Sequence, residues 1–248
     1  MGKVVDARED PAAKCGKGMD DVYRIRFHGR GGQGMKTAGR ILGTAFFLEG
    51  YEVQDAPCYG AERRGAPIFS YVRASRGDIR ERGVIGRPDL IVVADETLVQ
   101  IPAAGVLAGA GEKTVMVLRT GENPETWKRR LNFPGFLMVL AAASPGEDPH
   151  GDRSLSAACA GAATRLVGPL SSEVLLEAVT MELAGLGDAL IERSQKEALR
   201  AYEAMATHEG LVSEAVSLPP GSGEGPEWID LPFEDARSEE HTSELQSH

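Results

Sequence analysis

Residues 22–34 join two hydrophobic rhythms through a turn made mostly of glycine. In residues 22–27 (VYRIRF), Val22, Arg24 and Arg26 alternate with Tyr23, Ile25 and Phe27, which is the period of a strand. From Met35, the residues Ala38, Ile41, Leu42, Ala45, Phe46 and Phe47 recur at helical spacing, and Gly50 stands where a helix ends on glycine. Between them lies His28-Gly29-Arg30-Gly31-Gly32-Gln33-Gly34. A strand, a glycine turn and a helix in this order open an α/β fold. They also create a place for an anion: the turn's glycines lack Cβ atoms, the first helical N–H groups point outward unpaired, and the helix dipole favours negative charge there.

The rest of the chain continues the alternation. Residues 51–56 and 67–74 read as strands. Residues 89–94 (DLIVVA) and 113–118 (KTVMVL) are apolar runs of the kind buried on both faces of a parallel sheet. From Ser154 the pattern turns helical, over residues 154–167, 171–183 and 188–208. The expected architecture is an α/β sandwich with a mostly parallel sheet and the C-terminal helices packed on it.

Charge narrows the function classes. The 248 residues carry a formal net charge of −10, which repels phosphate backbones and argues against nucleic acid as a partner. Yet residues 22–90 hold 12 basic side chains against 7 acidic ones, so one stretch attracts anions while the rest does not. No apolar run is long enough for a membrane span and the first twenty residues lack a signal-peptide core, so the reading is cytoplasmic with no membrane partner. Cys15, Cys58 and Cys159 are too few and too scattered for a disulfide framework or a metal site.

Two constellations carry chemistry. Around the glycine turn, Arg30, Lys36 and Arg40 add cations, the latter two one helical turn apart, which suits a phosphate-bearing ligand. Gly29, Gly31 and Gly34 also fit a dinucleotide-binding pattern with Asp55 as the ribose-binding acid, so a stand-alone dinucleotide-dependent oxidoreductase is the alternative. The bland reading is that the glycines serve close strand-to-helix packing alone. The second constellation is Tyr59-Gly60-Ala61-Glu62-Arg63-Arg64-Gly65-Ala66-Pro67, in the loop after the second strand, expected to face the glycine turn across one crevice. Of its two arginines, either one pairs with Glu62 while the other is solvated, or at least one reaches a phosphate or a partner carboxylate. No residue is assigned a catalytic role: His28 is expected to hydrogen-bond within the turn, and Cys58 has no histidine nearby in sequence to support it as a nucleophile.

These residues together resemble the gamma subunit or domain of the 2-oxoacid:ferredoxin (acceptor) oxidoreductases. The match is carried by residues 25–34, by Thr37-Ala38 and Ile41-Leu42, by Tyr59-Gly60 with residues 62–67, and by Arg87-Pro88-Asp89 before Leu90-Ile91-Val92-Val93; it spans about residues 22–210. The resemblance implies a three-layer α/β/α domain within a multi-subunit enzyme that converts a 2-oxoacid to an acyl-CoA. It implies alpha and beta partners holding thiamine diphosphate, a ferredoxin-like delta partner holding [4Fe-4S] clusters, and ferredoxin as acceptor. Coenzyme A is then a co-substrate contacted by Gly29, Arg30, Gly31, Gly32, Gln33, Gly34, Thr37, Arg63 and Arg64. A third reading is a pure assembly module with no ligand.

Four segments are expected along the chain. Residues 1–20 read as a disordered leader or as sequence upstream of a true start at Met19. Residues 21–209 form the gamma-type domain. Residues 210–236 are an acidic linker with a docking tail, Trp228-Ile229-Asp230-Leu231-Pro232-Phe233, and resemble the start of longer members that continue into an iron–sulfur domain. Residues 237–248 (RSEEHTSELQSH) resemble a translated sequencing adapter, so the natural chain is expected to continue past Ala236.

Overall fold

The computed structural model describes residues 21–59, 66–142, 154–213 and 215–216. All of them precede the division of the chain after Ser217. Arg63, Arg64, Cys15, the docking tail and the last twelve residues lie outside the described residues.

The described strands are β1 (Asp21–Arg30), β2 (Glu52–Tyr59), β3 (Pro67–Ser75), β4 (Leu90–Val93), β5 (Val115–Thr120), β6 (Phe136–Ala141) and β7 (Ala215–Val216). They form one sheet in the order β2-β3-β1-β4-β5-β6, with β7 on the start of β1. The helices are α1 (Met35–Leu48), α2 (Pro124–Leu131), α3 (Leu155–Val167), α4 (Ser172–Glu182) and α5 (Asp188–Ala204). Strands β1, β4, β5 and β6 are parallel, while β3 runs antiparallel to both β1 and β2. The mostly parallel sheet expected from the alternation is therefore present. Its departures from parallel are β3, which the hairpin β2–β3 inserts between the first two strands in sequence, and the short β7, antiparallel to β1.

Alternation along each strand builds two layers of core. Tyr23, Ile25 and Phe27 of β1, Leu90 and Val92 of β4 and Val115 and Val117 of β5 pack with α1, α3, α4 and α5 on the first face. Ile91, Val93, Met116 and Leu118 face the other way, onto Leu98, Ala104, Val106 and Trp127. The second face is covered by α2 and two 3-10 turns, Glu96–Gln100 and Pro102–Ala104, so the domain is a three-layer sandwich with one thin layer. Helix α2 starts because Asn123 accepts the Thr126 amide at 2.9 Å and Pro124 needs no partner for its missing N–H.

Among the described residues, much of the basic excess of residues 22–90 lies away from the glycine turn or is already paired. Arg24, Arg26 and Arg73 point into the second face and are buried. Arg24 and Arg73 share the Glu81 carboxylate, and Arg24 also lies 3.7 Å from Asp89. Arg26 donates to the carbonyls of Val106 at 2.9 Å and Ala108 at 2.8 Å. Burial pushes its pKa down to about 10. Arg40 is paired with Glu182 at 2.7 Å, and Arg76 donates to the Glu49 carbonyl while stacking over Tyr51. Partners distant in sequence consume much of the charge that composition alone assigns to a ligand.

Candidate functional site

Strand β1 carries the chain further than its apolar pattern suggests, through His28 and Gly29 to Arg30. This extension alters the role of His28. Its side chain is on the second face, edge-on to Phe69 at 5.2 Å between ring centroids, and 2% exposed. Neither ring nitrogen reaches a hydrogen bond of ordinary geometry, so the expected bond within the turn is absent. Burial, and then the Arg26 charge, push its pKa down to about 3, against a small opposing pull from the Ala104 backbone. A neutral imidazole buried in this way has no route to proton transfer.

The turn itself is tightly determined. The Arg30 amide donates to Gln33 Oε1 at 2.8 Å and the Gln33 amide returns to the Arg30 carbonyl at 3.0 Å. Gly29 is required by close approach, since a Cβ there would lie 2.5 Å from Met35 Cγ. Gly34 is required by its φ of 73°, the left-handed conformation from which α1 departs. Helix α1 then begins with no side-chain cap and no acidic residue in its first turn. Its leading amides are thus left for another acceptor. Thr37 is half-buried in this first turn and Lys36 is exposed beside it.

The second constellation meets the turn by a different route from the one expected. Strand β2 does not neighbour β1; instead β3 begins beside the end of β1, with Arg30 paired to Pro67. The Gly31 amide donates to the Ala66 carbonyl at 3.0 Å. The end of the loop that carries Arg63 and Arg64 therefore abuts the glycine turn, although those two residues are themselves outside the described set.

Beyond β1 and β4 the chain leaves in opposite directions, to α1 on the first face and to the turn Glu96–Gln100 on the second. Such divergence of parallel neighbours opens a crevice at the carboxyl ends of the strands. Arg30 crosses it, its Nε donating to Asp95 Oδ2 at 2.8 Å and its Nη2 to Thr97 Oγ1 at 2.7 Å. Asp95 and Thr97 carry no signal of their own in the sequence. An acid directly following a buried apolar strand is the feature that could have pointed to them.

Asp55, the acid of the dinucleotide alternative, is not brought to the turn. It is exposed in the edge strand β2, opposite Val72, which in turn pairs with Ile25. That level is four residues before Gly29, about 13 Å at the usual strand rise. Among the described residues no three His, Cys, Asp or Glu side chains converge as metal ligands, and no helix is long and apolar enough to cross a membrane.

Comparison with known proteins identifies the family. The chain is 34% identical over 183 residues to the common gamma subunit of the pyruvate/ketoisovalerate oxidoreductases of Pyrococcus furiosus, covering 73% of this chain and 96% of the relative. It is 34% identical over 158 residues to pyruvate synthase subunit PorC of Methanosarcina barkeri, covering 64% and 85% respectively. The crystal structure of the pyruvate oxidoreductase subunit PORC of Thermotoga maritima superposes with a TM-score of 0.61 at 30% identity, covering 74% of this chain and 96% of that one. A 2-oxoglutarate:ferredoxin oxidoreductase of Magnetococcus marinus, described with 2-oxoglutarate, coenzyme A and succinyl-CoA bound, shares the fold at a TM-score of 0.60 and 20% identity, over 80% of this chain and 33% of its own. Residues 24–204 match the family of pyruvate ferredoxin/flavodoxin oxidoreductases, and the chain belongs to that family.

Proposed function

We propose that this chain is the gamma subunit of a multi-subunit, thiamine-dependent 2-oxoacid:ferredoxin oxidoreductase, and that it contributes coenzyme A binding and subunit assembly. The observation that carries the reading is the uncapped start of α1 behind the glycine turn, with Arg30 beside it, in a chain of this family. Coenzyme A presents phosphate groups, and backbone amides at a helix start together with a guanidinium are the donors that phosphates require.

The residues present fit that cofactor. Gly29, Gly31, Gly32 and Gly34 add no Cβ atoms to the turn, Gln33 braces Arg30, and Thr37 stands in the first helical turn. Arg63 and Arg64 belong to the loop whose end abuts the turn, and are proposed as further anion contacts. Thiamine diphosphate on alpha and beta subunits supplies the cleavage of the carbon–carbon bond, and [4Fe-4S] clusters on a delta subunit carry electrons to ferredoxin. This chain holds and orients the acyl acceptor and takes no proton itself, since His28 is buried and neutral. By itself it is inactive in this reading, and cytoplasmic with its partners.

Co-expression with the thiamine-binding and ferredoxin-like subunits tests the reading. Co-purification and 2-oxoacid-dependent dye reduction that requires both this chain and coenzyme A are expected. A stable chain that associates with none of those subunits, or a complex whose rate ignores coenzyme A, would overturn it.

A further inference from the structure

Arg30 is doubly engaged. Its backbone is fixed by the reciprocal bonds with Gln33, at 2.8 and 3.0 Å, while its side chain reaches across the crevice to Asp95 and Thr97 on the other lip. Asp95 has partners of its own on that lip. Its Oδ1 accepts the Thr97 amide at 3.0 Å, the capping bond that starts the turn Glu96–Gln100. Burial alone would raise the Asp95 carboxyl, but the Thr97 bonds and then Arg30 outweigh it and hold it below the usual carboxylate range. The carboxylate is therefore ionised wherever the enzyme would work, and remains hydrogen-bonded if Arg30 leaves.

We infer that Asp95 is an internal counter-anion for Arg30. It occupies the guanidinium while the glycine turn holds no ligand, and a phosphate group arriving at the turn takes the guanidinium in its place. The inference rests on the reading that coenzyme A binds at this turn. Its physical basis is competition: two anions on one guanidinium repel each other, and Asp95 keeps its Thr97 donors when the guanidinium leaves. The exchange is cheap, because the Arg30 side chain is 31% exposed and that of Asp95 17%, and a partly exposed ion pair shifts an equilibrium by about five-fold or less. A phosphate that gains charge-assisted bonds from both guanidinium and amides outcompetes it. Asp95 thereby weakens the binding of coenzyme A and of the acyl-CoA product alike, which favours product release.

The test uses the assembled complex carrying Arg30→Ala, Asp95→Asn, Asp95→Ser or the double change Arg30→Ala with Asp95→Asn. Both Asn and Ser keep a capping oxygen for the Thr97 amide and remove the charge. The KM for coenzyme A is measured for each, with the KM for the 2-oxoacid on the same samples as a monitor of general damage. Arg30→Ala is expected to raise the coenzyme A KM about ten-fold or more. Asp95→Asn and Asp95→Ser are expected to lower it by about two- to five-fold, the opposite of what loss of a structural contact would do. In the double variant the benefit of Asp95→Asn is expected to vanish, since its effect runs through Arg30. If Arg30→Ala raises the KM while the Asp95 variants leave it unchanged or raise it, the counter-anion role is overturned and the coenzyme A site stands. If Arg30→Ala has no effect, the coenzyme A site itself fails. Failure of both Asp95 variants to assemble would show Asp95 to be structural and would also overturn the inference.

Discussion

The Gly31 amide donates to the Ala66 carbonyl at 3.0 Å, so the glycine turn after β1 and the loop before β3 meet at their shoulders. Gly31 and Ala66, 35 positions apart in sequence, are thereby held together at one end of the sheet. The joint is backbone to backbone and depends on the turn keeping its shape.

Gly29→Ala tests that shape. Its Cβ would lie 2.5 Å from Met35 Cγ and 3.1 Å from Gln33 Oε1, displacing both the first residue of α1 and the brace on Arg30. A loss of about 1–3 kcal/mol in unfolding free energy is expected for overpacking of this kind. Denaturant unfolding of the isolated chain measures it, and a midpoint equal to that of the parent would contradict the packing described.

Glu81 holds Arg24 and Arg73 on the second face, with its side chain 14% exposed against 4% and 6% for the arginines. Removing one partner leaves buried charge behind, so Glu81→Gln is expected to cost about 3 kcal/mol or more. Thermal unfolding of the variant checks this, and a melting temperature unchanged from the parent would refute it.

Asp89 titrates unusually. Burial raises its carboxyl pKa to about 6, against hydrogen bonding and charge from Arg24 that pull it down. The folded chain thus holds this proton more tightly than the unfolded chain. The carboxyl contributes stability that is fully present below the unfolded value near 4 and is lost as pH rises through about 6. Unfolding free energies across pH 4–8 for the parent and Asp89→Asn are expected to differ in slope within that window. Parallel curves would show that Asp89 titrates normally.

Cys159 is fully buried in α3, where burial pushes its thiol up to about 12. Thiolate is the reactive form, so no labelling by a thiol reagent is expected in the native chain and rapid labelling in denaturant. Peptide mapping distinguishes it from Cys15 and Cys58, and native labelling at Cys159 would contradict its placement.

The legible parts of the fold are those whose signal is local. Helix α1 and the three C-terminal helices follow from periodicity, and strands β4 and β5 from continuous apolar runs buried on both faces. Strand β6 (FLMVLA) has the same kind of apolar run as β4, and α2 has an Asn-Pro start, but the polar surroundings of both mask them in the sequence. The site is legible in its turn and not in its electrostatics. Arg24 reads as an exposed cation until Glu81, 57 residues away, folds over it, and Arg30 reads as available until Asp95, 65 residues away, is placed beside it. Pairing across such separations is set by topology, which residue spacing does not encode.

The most direct test of the proposed role is 2-oxoacid-dependent dye reduction by the assembled complex, titrated with coenzyme A, for the parent and Arg30→Ala. The expected result is a rate that depends on coenzyme A and a half-saturating concentration raised about ten-fold or more by the substitution, as for loss of a charge-assisted phosphate contact. A coenzyme A titration identical in the two complexes would contradict the assignment of coenzyme A to the glycine turn.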